Sequence, residues 1–148
     1  MKPLVPLLAL AVVLAAAEAR IKAQYIGGTA AGISAKSSAR LDLTRPDALF
    51  FFSGPVELRI DYRRINTIEY GQSVSRRYAE AVLISPLLLL SKSRKHFVTI
   101  GYVDRDGNQQ ALVFRVEKGD IRTVLSSLEA RTGRRVEYQD DEARKGKG

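Results

Sequence analysis

The stretch DIRTVLSSLEART, residues 120–132, decides the fold. Its apolar residues Ile121, Val124, Leu125 and Leu128 fall at i, i+3, i+4 and i+7, one stripe on a helix of about 3.6 residues per turn. One face of that helix has to be buried. Asp120 stands in the first turn, where a carboxylate favours the positive end of the helix dipole, and Gly133 stands where a left-handed residue ends a helix. A Glu-Lys-Gly connection joins the helix directly to a hairpin, so it folds back onto strands. In that hairpin Val98, Ile100 and Tyr102 alternate along one arm and Leu112, Phe114 and Val116 along the other. Asp104-Arg105-Asp106-Gly107-Asn108 makes the turn between them.

Working outward, the chain before the hairpin reads as further short strands. Ala39, Leu41 and Leu43 alternate with Arg40 and Asp42, and Thr44-Arg45-Pro46-Asp47 turns the chain with a proline set for it. Ala48 to Ser53 is a nearly continuous apolar strand, and Ser53-Gly54-Pro55 turns again. Val56, Leu58 and Ile60 alternate with Glu57, Arg59 and Asp61, a strand with one wet and one dry face. Tyr62 to Ile65 reads as a single turn leading into the strand Asn66 to Tyr70. Ser73 to Leu83 reads as a strand, although Arg76 to Ala81 suits a helix as well. Val136 to Tyr138 adds a few extended residues.

At 148 residues the chain is the size of one domain. Residues 1–19 have Lys2 at the front, an apolar run from Leu4 to Ala17 and the small-residue triplet Ala17-Glu18-Ala19, which together predict a secretory signal peptide cleaved after Ala19. The competing reading is an uncleaved membrane anchor, for which the run falls short of the about 20 apolar residues a span needs. Residues 20–35, small and rich in glycine, read as a flexible lead-in or a weak first strand. Gly27-Gly28 and Gly32 lack the strand-then-helix context and the lysine of a phosphate loop. The domain is placed at 36–138, and 139–148 is a charged tail expected to be disordered. Localisation is expected to be periplasmic or secreted. With no cysteine, an exported domain relies on its core without disulfides. The formal charge of +8 suits an anionic contact as well as plain solubility.

About seven short strands followed by one helix, together with the segment Tyr62-Arg63-Arg64-Ile65-Asn66-Thr67-Ile68-Glu69-Tyr70-Gly71, resemble the bacterial pleckstrin-homology (PH)-like superfamily. The resemblance covers roughly residues 36 to 133. It implies a mainly β fold: a partly open barrel of antiparallel strands in sheets of four and three, plugged by the C-terminal helix. It would place phosphoinositide-binding bases around the first hairpin loop. That loop is read here as Thr44 to Asp47, where Arg45 is the sole base and Asp47 opposes it, so phosphoinositide recognition is not expected.

Enzymatic chemistry has little support. The sole histidine, His96, lies between Lys95 and Phe97, where positive charge disfavours its protonation, and no Gly-x-Ser-x-Gly elbow is present. A zinc site lacks ligands. The Asp104 turn does not match a calcium loop, since Gln109 and Arg115 stand where glycine and glutamate belong. No metal or cofactor is expected. Bases group at Arg63/Arg64, Arg76/Arg77, Lys92/Arg94/Lys95 and Arg134/Arg135, with too few interleaved aromatics for nucleic acid. The candidate contact is the run Leu87, Leu88, Leu89 and Leu90 followed by Lys92, Arg94 and Lys95. Either those leucines pack against the barrel, or the loop is a peripheral contact with anionic lipid. The expected function is an exported, non-enzymatic binding or scaffolding module with an unidentified protein partner; the alternative is a peripheral membrane domain acting through that loop.

Overall fold

The computed structural model describes residues 20–72, 74 and 95–139. Within them the chain runs β1 (Ile21–Gly28), β2 (Ser38–Asp42), β3 (Ala48–Ser53), β4 (Val56–Asp61), a 3-10 turn (Tyr62–Arg64), β5 (Ile65–Gly71), β6 (His96–Val103), β7 (Gln109–Val116), α1 (Lys118–Thr132) and β8 (Glu137–Tyr138). The eight strands form one sheet in the order β4-β3-β2-β1-β7-β6-β5-β8. All neighbours are antiparallel except the β5/β8 pair. The fold is thus mainly β, an unclosed sheet with one C-terminal helix among the described residues.

The sheet curls towards itself. Leu58 and Ile60 on the edge strand β4 share a cleft of about 330 Å³ with Tyr102 and Val103 of β6, although four strands separate β4 from β6 in the sheet order. Arg64 crosses the same seam, its Nη1 donating to the Asp104 carbonyl at 2.8 Å. The inside of the curl is the core, where Leu41, Phe51, Ile60, Ile68, Ile100 and Phe114 are essentially inaccessible.

The helix plugs this core with the residues its periodicity names: Ile121, Val124, Leu125 and Leu128 are all buried. Fully burying each stabilises the fold by about 1.5–3 kcal/mol. Gly133 ends the helix at φ 70°, its N–H bonding the Glu129 carbonyl at 2.9 Å. Glu129 then turns the chain back, one carboxylate oxygen accepting from the Val136 N–H at 3.0 Å, so that β8 lies beside β5.

Two readings of the sequence change. Residues 20–35, read as a flexible lead-in outside the domain or a weak first strand, contain in Ile21–Gly28 a strand inside the sheet, hydrogen-bonded to β2 on one side and β7 on the other. Its glycines hide it. A β-bulge interrupts the register between Tyr25 and Gly27, and at Gly28 the backbone passes so near β7 that a Cβ would lie 2.5 Å from the Ala111 carbonyl oxygen. Among the described residues the sheet has eight strands rather than about seven, with β1 and the short β8 both contributing. The predicted strand Ser73 to Leu83, the signal peptide 1–19 and the tail from Asp140 onward lie outside the described residues.

Candidate functional site

Of the contact residues predicted from sequence, Leu87, Leu88, Leu89, Leu90, Lys92 and Arg94 lie outside the described residues. Lys95 is half-buried and immediately precedes β6. The next residue, His96, is buried, with its ring stacked on Tyr70 at 6.0 Å and its Nδ1 sharing a 2.6 Å hydrogen bond with the Tyr70 hydroxyl. Burial holds this imidazole below its usual pKa, the Lys118 charge adds to the effect, and Glu117 opposes it. These are the surroundings of a histidine packed among neighbours.

The Asp104 carboxylate is taken up by its own hairpin. One oxygen accepts from the Asp106 and Asn108 N–H groups, both at 2.9 Å, and the other accepts from the Gln110 amide at 2.8 Å. Those hydrogen bonds, the one from Asn108 foremost, hold its carboxyl below the usual carboxylate range. Among the described residues no three His, Cys, Asp or Glu side chains are grouped to hold a metal ion.

Because β1 is a strand, the first hairpin loop is Thr29 to Ser37, with Lys36 its sole base, and Thr44 to Asp47 is the second. In that second loop Arg45 lies over the Phe50 ring at 4.3 Å, and Asp47 is held by Arg59 at 3.0 Å. Both charges are already engaged within the fold.

Charge gathers instead on the outer face of the sheet. In the β1/β2 register Lys22 stands opposite Arg40, and in the β1/β7 register Gln24 stands opposite Arg115. Side chains two residues apart on a strand share a face, so Lys22, Gln24, Arg40 and Arg115 converge from three adjacent strands. They line an open cleft of about 590 Å³ together with Phe52 and Glu117. Beside it the Arg20 guanidinium lies over the Phe52 ring at 4.3 Å, and its Nε is buried without a hydrogen-bond partner.

Among the described residues the cations of this cleft enter no ion pair. The ion pairs among the described residues tie Arg45, Arg59 and Arg64 to Asp42, Asp47 and Asp61, on the β2–β5 side. Lys22, Arg40 and Arg115 enter none of them. Three exposed or half-exposed cations within a few side-chain lengths repel one another, a cost that an anion placed between them would remove.

Sequence reasoning missed this group because its members are spread from position 22 to position 115. The signal was present in fragments: each cation is the wet member of an alternating strand, as in Ile21-Lys22-Ala23, Ala39-Arg40-Leu41 and Phe114-Arg115-Val116. Joining the fragments requires the register. No protein-family model matches the chain, and a search of curated proteins finds no match.

Proposed function

We propose that this protein is an exported, non-enzymatic binding module of PH-like fold that docks a protein partner at the outer-face cleft of Lys22, Arg40 and Arg115. The observation that carries the reading is the convergence, from β1, β2 and β7 on one concavity, of three cations that enter no ion pair among the described residues. The PH-like assignment is supported by the run of antiparallel strands, the curl that leaves β4 as an edge, and the helix filling the interior. Export is supported by the composition of residues 1–19.

The test is capture from the native envelope fraction by the full chain, run beside a variant carrying Lys22→Glu, Arg40→Glu and Arg115→Glu. A protein retained by the parent and lost from the variant, with both melting at the same temperature, is the expected result. Equal retention by the two would remove the cleft from the reading.

A further inference from the structure

We infer that the occupant of the cleft is an extended acidic segment of the partner protein, laid across β2, β1 and β7 with alternate carboxylates over Arg40, Lys22 and Arg115. This rests on the reading of the cleft as the docking face and adds the chemistry of what docks.

Spacing is the first support. Neighbouring strands lie about 4.8 Å apart and side chains on one face recur about every 6.8 Å along a strand. Lys22 faces Arg40 directly, whereas Arg115 is one strand and one such step away from Lys22. The backbone positions of the cations therefore fall at steps of about 5 and 8 Å. An extended polypeptide presents alternate side chains about 6.8 Å apart, within reach of both steps for long, flexible cations.

The second support is the mixture of groups. A uniformly anionic plane, such as a lipid surface, meets convex ground more readily than a cleft and would bring charge against Glu117 in its lining. A peptide carries N–H donors as well as carboxylates, and the cleft supplies acceptors for them. Gln24 uses its amide nitrogen on the Lys36 carbonyl at 3.0 Å, which leaves its Oε1 to accept, and the Glu117 carboxylate also accepts.

The experiment is an anisotropy titration of the full chain with a labelled twelve-residue peptide of Glu-Ala-Glu-Leu repeats, its Gln-for-Glu counterpart, long-chain polyphosphate, and phosphatidylglycerol vesicles. The expected result is saturable binding of the acidic peptide and at least tenfold weaker binding of the glutamine counterpart. Arg115→Gln and Arg40→Glu should each weaken the acidic peptide severalfold, Arg134→Glu should not, and added salt should weaken it throughout. Circular dichroism melts of each variant separate lost contact from lost folding. Binding indifferent to Arg115→Gln and Arg40→Glu would overturn the inference. So would vesicles or polyphosphate binding through these cations while the peptide does not, an outcome that leaves the cleft as the docking face. Failure of the cleft itself shows elsewhere, in capture of the envelope partner by the triple charge reversal.

Discussion

Leu125 is a residue at which the helix stripe meets the core of the curled sheet, wholly buried. Leu125→Ala should lower the free energy of unfolding by about 2–5 kcal/mol, read from urea melts, because the curled sheet cannot close over the gap. His96 makes a different kind of contribution. Its folded pKa is below the usual value of 6.5, so the unfolded chain takes up the proton first as pH falls. The stability due to its neutral form is therefore complete above about pH 6.5 and is lost as pH falls through the lowered folded value. Unfolding measured across that window should show the slope, and His96→Gln should flatten it. The sequence names both residues correctly as notable, through periodicity for one and uniqueness for the other. It does not reveal that His96 shares a hydrogen bond with Tyr70, since the partner lies on the neighbouring strand β5.

Among the elements, β1 shows most clearly where reading along a chain stops. Alternation is a local signal, and in Ile21–Gly28 the bulge after Tyr25 and the glycines break it after two repeats. What makes the segment a strand is its pair of neighbours, β2 and β7, which supply partners for its backbone on both edges. Gly28→Val should destabilise the protein by about 1–3 kcal/mol, seen as a lower thermal midpoint, because the added side chain meets the Ala111 carbonyl and the hairpin must shift. The strand Ala48–Ser53 shows a related ambiguity. Its continuous apolar run is largely buried on both faces: Leu49 and Phe51 enter the core, while Phe50, buried, and Phe52, half-buried, lie on the outer face and stack on each other at 6.2 Å. Arginines cap them, Arg45 over Phe50 and Arg20 over Phe52, both at 4.3 Å, so wet and dry coexist on one face.

For the whole molecule, the informative quantity is the placement of the +8 charge rather than its size. Around β4 and the second hairpin loop arginines are spent on carboxylates, whereas across β2, β1 and β7 Lys22, Arg40 and Arg115 line one cleft. Neutralising these three to glutamine should leave folding stability within about 0.5 kcal/mol of the parent, or raise it slightly, since exposed substitutions that remove like-charge repulsion cost little. Binding should fall in the same variant. A site whose removal spares the fold while abolishing an interaction is one that the fold does not need for itself. A matching loss of stability, measured by urea denaturation, would mark these cations as structural instead.

The sequence by itself determined the elements whose signals are local. These are the amphipathic helix with its αL glycine, the β6–β7 hairpin around Asp104, and the wet and dry alternation of β4. Each depends on residues only a few positions apart, within the reach of a helical turn or a pleat. Tertiary structure alone decided that residues 21–28 are the central strand, that the sheet has eight strands, and that Lys22, Arg40 and Arg115 share a cleft. Those features depend on which strands pair and in what register, and a register shift of one residue would carry every side chain of a strand to the opposite face. No periodicity along one strand encodes the alignment of the next.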